Sequence, residues 1–161
     1  MMTVADIERI KKVLECMIEY ELGLSNLYRN CADIYKEDAT FWKSIHVVEI
    51  IHAENIRKMS EILERKPEQF EVGRPFNLIA INTALSGLKD NIKRIMEAPF
   101  SREKMFILAR DIEQSVLESN YAEIVKTADI EYQTLIKNIL SQTYQHKMMI
   151  QKKIDEVRSK A

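Results

Sequence analysis

Residues that break helices are scarce in this chain of 161 residues, which contains three glycines and three prolines. Because Gly and Pro supply most turn chemistry, their scarcity favours long helices with few tight turns. No apolar run reaches the length that is needed to cross a bilayer. The opening segment, residues 1–6, lacks the apolar core of a signal peptide. We therefore expect one cytoplasmic domain over residues 1–161, long enough to bury a core of its own.

Cysteine is equally rare. The two cysteines, Cys16 and Cys31, both fall within the first predicted helix. At about 1.5 Å per residue they lie roughly 22 Å apart, which is too far for a disulfide bond. Their spacing also excludes a CxxC metal knuckle. We interpret them as two small thiols that are buried or half-buried.

An excess of charge of either sign is also absent. The 24 Lys and Arg residues nearly balance the 25 Asp and Glu residues, for a net charge of −1. No basic cluster and no series of aromatic residues suggests a nucleic-acid surface. With 46% hydrophobic and 30% charged residues, the composition is typical of a globular protein.

Apolar residues recur in alternating steps of three and four, which is the pattern of helices that pack in a bundle. The predicted bundle helices cover residues 4–36, 41–65, 102–127 and 130–157, and a crossover at 66–101 carries a further helix over 77–97. Residues that favour helix N-caps stand before the bundle helices, namely Thr3, Asp38 or Thr40, Ser101 and Asp129. The expected fold class is all-α.

Two ionisable residues, Glu49 and His52, interrupt the apolar face of the second helix. Side chains three residues apart on a helix point the same way. A buried carboxylate without a partner is costly, so this pair should either be neutralised by another group or hold a metal. Carboxylate and imidazole together suit a hard or borderline cation. His46, one turn earlier, is expected to be exposed to solvent.

Each of the other bundle helices places one ionisable residue on an inward position: Glu21, Glu113 and His146. Glu19 is the alternative to Glu21 if the register of the first helix is misjudged. Glu118 is the alternative to Glu113, because the apolar face of that helix fits two registers. The four helices thus present, in order, Glu, Glu-x-x-His, Glu and His.

This ordered set resembles the ferritin-like superfamily and, within it, the rubrerythrin-like proteins. Carboxylate-bridged di-iron bundles use one Glu from each of two helices and Glu-x-x-His from each of the other two. The helix order, the long crossover and the ligand spacing carry the resemblance over nearly the whole chain. Glu21 followed seven residues later by Tyr28 is also similar to the first-helix motif of the superfamily. The resemblance implies an up-down four-helix bundle and a homodimer. It also implies that Tyr28 lies in the core, where its hydroxyl can form a hydrogen bond with a ligand carboxylate.

By position, the resemblance implies that Glu21 is a terminal ligand and Glu49 a bridging carboxylate. His52 and His146 are the implied nitrogen ligands, and Glu113 is the carboxylate of the third bundle helix. The implied cofactor is iron, either dinuclear or mononuclear, although manganese and zinc also accept carboxylate and imidazole ligands.

The chain departs from the family pattern on the fourth bundle helix, where Thr143 stands in place of the Glu three residues before His146. The loss of a bridging carboxylate should weaken the binding of a second metal. Gln142 and Gln145 are expected to point away from that face. Full rubrerythrins also carry a four-cysteine iron site as an electron port, which two cysteines cannot form. Electrons would therefore come from an external redox protein.

Two functions are consistent with these residues. The first is a rubrerythrin-like metal-binding protein of the non-haem di-iron type, an oxidoreductase that acts on peroxide or dioxygen. The alternative is a ferritin-like bundle with a degenerate site, which binds one metal or none and has a structural or interaction role. Iron storage is a third hypothesis, for which the sequence shows no cage-forming contacts.

Overall fold

Helices account for most of the chain in the computed structural model, which describes all residues from Met1 to Ala161. The five helices are α1 (Val4–Ile34), α2 (Ala39–Arg65), α3 (Leu78–Glu97), α4 (Arg102–Glu118) and α5 (Ile130–Ser159). Two short strands, β1 (Phe70–Val72) and β2 (Val125–Thr127), form a small antiparallel ribbon. The protein is thus all-α with five helices, as predicted, and its ferritin-like topology stays a prediction. None of the helices has an apolar stretch of the length that a bilayer requires.

Side-chain caps begin four of the five helices. At the start of α1, the Thr3 hydroxyl accepts a hydrogen bond from the Asp6 N–H, and the Asp6 carboxylate accepts one from the Thr3 N–H. Asn77, Ser101 and Asp129 accept from backbone N–H groups at the starts of α3, α4 and α5. Because the first turn of a helix leaves its N–H groups unpaired, these caps specify where the helices begin.

The start of α2 is stabilised differently. Asp38 precedes its first residue but makes no capping bond. Its carboxylate instead accepts two hydrogen bonds from Arg102, at 2.6 Å from Nε and 2.9 Å from Nη2. Asp38 is 2% exposed, so this buried bidentate pair joins the start of α2 to the start of α4. Of the two predicted caps, Asp38 thus occupies the N-cap position without a capping bond, and Thr40 lies within α2.

The core lies among the long helices. α1 packs against α2 and α3, and α5 packs against α2 and α4. One connected set of buried apolar side chains draws on all five helices. Within it, Trp42 of α2 stacks between Tyr28 of α1 and Phe106 of α4, with ring centroids 5.6 Å and 4.9 Å away. This stack fixes the spacing of three helices about two turns from their inward-facing glutamates.

The helix α4 is shorter than predicted. The sequence pattern predicts a helix over 102–127, but α4 ends at Glu118. Asn120 adopts a left-handed conformation with φ 59°, which Asn tolerates better than most other non-glycine residues. The chain then passes through a short 3-10 turn into β2, which pairs with β1.

Beyond β1, the backbone stays in close contact with the segment that follows α4. The Gly73 N–H donates to the Ile124 carbonyl at 3.0 Å, and the Arg74 N–H donates to the Glu123 carbonyl at 2.7 Å. A Cβ atom on Gly73 would lie 2.1 Å from the Glu123 carbonyl oxygen. Only glycine permits this approach without a shift of the backbone. The start of the crossover, residues 66–76, is thus tied to the segment that follows α4.

The crossover helix α3 lies against α1. Its buried residues are Ile81, Leu85, Leu88 and Ile95. A Cβ atom at Gly23 of α1 would lie 2.8 Å from the Leu88 Cδ2 atom, so the bare backbone at Gly23 lets α3 lie close. Both cysteines of α1 are free thiols, with Cys31 buried and Cys16 half-buried, as predicted.

Candidate metal centre

Three glutamates and two histidines meet between the helices. They are Glu21 of α1, Glu49 and His52 of α2, Glu113 of α4 and His146 of α5. The most exposed of the five, His146, is 4% exposed. The structure therefore brings together all five residues that the sequence suggested as ligands. Their role in metal binding stays a prediction.

The alternative residues lie outside this cluster. Glu19 and Glu118 are both exposed, and Glu118 accepts a hydrogen bond from Gln114 at 2.7 Å. His46 is half-buried rather than exposed, because α2 packs against α1 at this turn and the His46 Nδ1 atom lies 2.7 Å from Ser25 Oγ. The expectation of an exposed His46 is therefore wrong.

Glu49 lies between the two histidines. Its Oε2 atom is 3.1 Å from Nδ1 of His52, and its Oε1 atom is 2.8 Å from Nδ1 of His146. The centroids of the two imidazole rings are 6.0 Å apart. One carboxylate thus turns one oxygen toward each imidazole, which is the arrangement in which a carboxylate can bridge two cations.

Glu21 and Glu113 complete two groups on either side of Glu49. The Glu21 Oε2 atom is 3.7 Å from Nδ1 of His52, and the Glu113 Oε1 atom is 3.6 Å from Nδ1 of His146. In each group, one potential ligand atom from each of three residues lies within 4.8 Å of the others. The two groups share Glu49, and each offers two carboxylates and one imidazole.

Several of these buried atoms have no hydrogen-bond partner. They are both carboxylate oxygens of Glu21, Oε1 of Glu49, Oε2 of Glu113 and Nδ1 of His146. The His146 Nδ1 atom lies close to Glu49 Oε1 without the alignment of a hydrogen bond. Unpaired buried carboxylate oxygens cost folding free energy. Because carboxylate and imidazole are the ligands that iron, manganese and zinc accept, the residues present fit bound metal ions.

Gln142 of α5 holds the outer side of His52. The His52 Nε2 atom lies 2.8 Å from Gln142 Oε1. An amide oxygen only accepts, so Nε2 carries the hydrogen and Nδ1 faces the glutamates. The prediction that Gln142 points away from this face is wrong. Gln142 precedes His146 by four residues, which places both on one side of the helix, whereas Gln145 is exposed.

Thr143 belongs to neither group. It is 1% exposed, and its hydroxyl donates to the Ile139 carbonyl oxygen at 2.8 Å. This bond engages the hydroxyl with its own helix. The carboxylate missing from α5 is therefore not replaced by Thr143, and the exposed Glu118 does not replace it either. Glu49 is the one carboxylate that belongs to both groups.

Tyr28 supports the opposite side of the cluster. Its hydroxyl donates to Glu113 Oε1 at 2.6 Å, and both groups are buried. Hydrogen bonds to an ionised carboxylate are stronger than those between neutral groups. The contact fixes the Glu113 carboxylate and leaves its Oε2 atom free of hydrogen bonds, as expected for a tyrosine beside a ligand.

Without bound cations, the cluster holds protons. Burial lowers the pKa of His52, but the nearby carboxylates of Glu21 and Glu49 outweigh burial and raise it to about 10. Burial likewise lowers the pKa of His146, and Glu113 and Glu49 together raise it to about 9. Burial first, and then the charge of Glu49, raises the pKa of Glu21 to about 8. Because a bound metal requires deprotonated ligands, it would take the place of these protons.

The pKa values of two further tyrosines, Tyr20 and Tyr121, also depend on this cluster. Burial raises the pKa of Tyr20 and of Tyr121 above its usual value, and the negative charge of Glu21 raises both further. Their hydroxyls therefore stay protonated. The pattern of inward-facing positions did not identify either residue. Tyr20 stands one position before the inward-facing Glu21, and Tyr121 lies beyond the end of α4.

Comparisons of this chain with protein-family models, with curated proteins and with solved structures found no match.

Proposed function

We propose that the protein is a rubrerythrin-like metal-binding protein of the non-haem di-iron type, with a ferritin-like fold. The observation that supports this proposal most directly is the position of Glu49. Its two oxygens face the Nδ1 atoms of His52 and His146, and buried carboxylate oxygens around it lack hydrogen-bond partners. In this proposal the protein is an oxidoreductase that acts on peroxide or dioxygen.

The five residues would divide the binding between them. Glu49 would be a ligand shared by the two metal ions. Glu21 and His52 would hold one ion, and Glu113 and His146 would hold the other. Both histidines would bind through Nδ1, since this is the nitrogen that each directs at the carboxylates.

The protein's part is to hold the ligands and to exclude water, while bound iron would supply the electrons that reduce the oxidant. Gln142 fixes the ring of His52, and Tyr28 fixes Glu113. The surrounding core excludes water through fully buried apolar side chains, among them Met17, Leu24, Ile56 and Ile139. In the same proposal, an external redox protein restores the electrons and the protein works in the cytoplasm as a homodimer.

One observation favours a second candidate function. The Thr143 hydroxyl is bound to its own helix, so Glu49 would be the only carboxylate that two ions could share. With one bridge fewer, the second ion would bind more weakly than the first. The alternative is therefore a degenerate site that binds one metal ion or none, in a bundle with a structural or interaction role.

The experiment that tests both functions is elemental analysis of protein expressed in iron-supplemented medium. The variant His52→Ala removes a buried ligand, and Glu19→Gln changes an exposed carboxylate on α1 as the matched control. We expect about two metal ions per chain in the wild type and in the control, with a marked loss in His52→Ala. About one ion per chain would favour the mononuclear alternative. The absence of metal from a folded wild type would contradict metal binding.

The redox part is tested separately on the iron-loaded protein. After anaerobic reduction, hydrogen peroxide or dioxygen is added and the absorbance of ferric iron is followed. Oxidation by either reagent, absent in His52→Ala, is the expected result. Iron that is retained but oxidised by neither reagent would contradict the oxidoreductase and leave the metal-binding function in place.

A further inference from the structure

A cavity of about 430 Å³ lies beside the candidate metal centre, between α1, α3 and α4. Its floor includes Tyr20 of α1 and Val116 of α4. Tyr20 is the residue before Glu21, and Val116 lies about one turn beyond Glu113. The cavity therefore adjoins the two helices that carry these glutamates, although none of the five candidate ligands lines it.

The cavity exists because of how α4 ends. The helix stops at Glu118, and the left-handed Asn120 turns the chain aside. Tyr121 follows and lines the cavity together with Phe76, which precedes α3. A helix that continued to residue 127, as the sequence pattern predicts, would not place these residues here.

The chemistry of the lining is aromatic on the inside and polar at the rim. Three aromatic residues line the space: Phe76 is half-buried, whereas Tyr20 and Tyr121 are 6% and 3% exposed. The rings of Phe76 and Tyr121 are tilted, with centroids 5.9 Å apart. Glu118 and Asn120 are exposed residues of the lining. Ligand pockets typically combine such an apolar surface with a few polar groups that orient the ligand.

The size of the cavity shows that the oxidant alone does not account for it. A water molecule takes about 30 Å³ of liquid volume, and peroxide and dioxygen each have two heavy atoms. A space of about 430 Å³ is several times larger than either requires. It falls within the range of roughly 300–1,000 Å³ that is typical of sites for small organic ligands.

We propose that this cavity binds a small organic molecule with an aromatic ring, held by Tyr20, Phe76 and Tyr121 next to the metal centre. Aromatic rings pack in offset or edge-to-face arrangements with centroids about 4.5–7 Å apart, and Phe76, the least buried of the three, offers a ring surface for such a contact. A polar substituent on the ring would face Glu118 and Asn120 at the rim. The position of this ligand beside a metal rests on the proposed function, whereas its binding to the cavity does not.

Ala84 of α3 allows the cavity to be blocked without a change to the centre. It is exposed and lines both this cavity and a neighbouring space of about 250 Å³. The variant Ala84→Phe would place a ring into both spaces. Ser86→Phe is the matched control, because Ser86 is also exposed on α3 but lines neither space.

Phenol is the probe, and cyclohexanol is its non-aromatic counterpart. Each is titrated into the purified protein while amide shifts are followed by two-dimensional NMR. We expect saturable shifts with phenol at residues of the cavity, and weaker binding of cyclohexanol. In Ala84→Phe the affinity for phenol should fall by about tenfold, since the added ring occupies part of the space that the ligand needs, whereas Ser86→Phe should bind as the wild type does. An absence of saturable shifts, or equal binding by Ala84→Phe, would overturn the cavity as the site. Equal binding of cyclohexanol would overturn its preference for aromatic rings.

The metal content of all variants separates this inference from the proposed function. A wild type that takes up no metal from iron-supplemented medium but still binds phenol would contradict the metal centre alone. Metal-loaded protein without phenol binding would contradict the cavity alone. On protein loaded with Mn²⁺, the proton lines of bound phenol should broaden in the wild type and in Ser86→Phe, and the broadening should be absent in Ala84→Phe. Phenol binding without broadening in Mn²⁺-loaded wild type would overturn the position next to the centre.

Discussion

Gln142 is not one of the candidate ligands, but it contacts one of them, His52. The amide oxygen accepts from Nε2, which fixes the orientation of the ring and the nitrogen that remains for a cation. Groups that hold a metal-ligating histidine typically affect metal affinity by about 10–100-fold when they are removed. The contribution of Gln142 can therefore be tested by substitution.

In the variant Gln142→Leu, the volume of the side chain is largely kept and the acceptor is lost. We expect the affinity for metal to fall by about 10–100-fold, because the imidazole is free to adopt other orientations and tautomers. Competition with a metal-binding dye measures this affinity. Gln145→Leu, at an exposed position of the same helix, serves as the control. Equal affinity in the two variants would show that Gln142 does not position His52.

A second prediction at the level of single residues concerns Tyr28, whose hydroxyl donates a hydrogen bond to the buried Glu113 carboxylate. In Tyr28→Phe, the carboxylate loses its donor while the ring remains in its stack with Trp42. We expect the metal-free protein to lose about 1–3 kcal/mol in its free energy of unfolding, the usual cost of leaving a buried polar group unpaired. Urea unfolding measures the change.

The same substitution should matter less in the metal-loaded protein, since a cation would then satisfy the Glu113 carboxylate. Tyr144→Phe is the control, because Tyr144 is 53% exposed. An equal loss of stability with and without metal would argue that Glu113 does not face a bound cation.

The candidate ligands could be predicted from the sequence because helical spacing settles which residues face inward. Glu49 and His52 occupy positions in an apolar face, and the helix geometry alone then places them together. Gln142 was missed because the expected Glu three residues before His146 drew the prediction to Thr143. The spacing of four residues between Gln142 and His146 was the signal that could have identified it.

At the scale of elements, the end of α4 depends on contacts that are distant in the sequence. The apolar pattern of residues 102–127 continues beyond Glu118, so periodicity alone predicts a longer helix. The helix ends instead at the left-handed Asn120, and the chain then pairs with β1 far earlier in the sequence. A three-residue strand is too short to show an alternating pattern of its own, and its partner cannot be read from local sequence.

Substitution of Gly73 tests the close contact between the segment after β1 and the segment that follows α4. In Gly73→Ala, the added Cβ atom would lie 2.1 Å from the Glu123 carbonyl oxygen, so the paired segments must move apart. We expect a loss of about 1–3 kcal/mol in the free energy of unfolding, as for other overpacked sites. The control is Gly87→Ala on α3, where a Cβ atom would have no neighbour within 4 Å. That change should stabilise the protein by roughly 0.5–1 kcal/mol, because alanine favours a helix. A neutral effect of Gly73→Ala in urea unfolding would contradict the close approach.

The cap of α5 gives a prediction that depends on pH. The Tyr132 N–H and Lys66 hold the pKa of Asp129 below its usual value. A carboxyl group whose pKa is lower in the folded state stabilises the fold above its unfolded pKa of about 3.9, and this contribution is lost as the pH falls through the folded pKa.

The variant Asp129→Ala should therefore be less stable than the wild type by about 1 kcal/mol at pH 7. The difference should shrink as the pH falls below about 4. Urea unfolding across the pH range measures it. Glu131→Ala, in the same helical turn and exposed, is the control. A difference that stays constant down to pH 2 would show that the charge of Asp129 does not contribute.

At the scale of the whole molecule, α1 and α2 carry a group of exposed apolar residues, which we call the apolar patch. It consists of Leu22, Val47, Ile50 and Ile51, which are 44%, 49%, 45% and 51% exposed. Val47, Ile50 and Ile51 share one face of α2, because they are three and four residues apart, and α1 packs against α2. Contiguous apolar patches with a polar rim are typical of protein interfaces. The exposed ion pair of Glu54 and Arg57 lies on the same helix as the patch and would form part of such a rim.

We propose that the implied homodimer forms through this patch. A two-fold interface uses the same surface on both copies, and specific interfaces bury about 800 Å² on each partner around an apolar centre. Ile51→Lys would place a charge on the patch of each copy, where pairing would bury two like charges. Sedimentation velocity should show a dimer for the wild type and a monomer for Ile51→Lys. Ile79→Lys, at a residue of α3 that is 76% exposed, should remain a dimer. A wild type that stays monomeric at all concentrations would rule out the homodimer, and a dimeric Ile51→Lys would move the interface to another face.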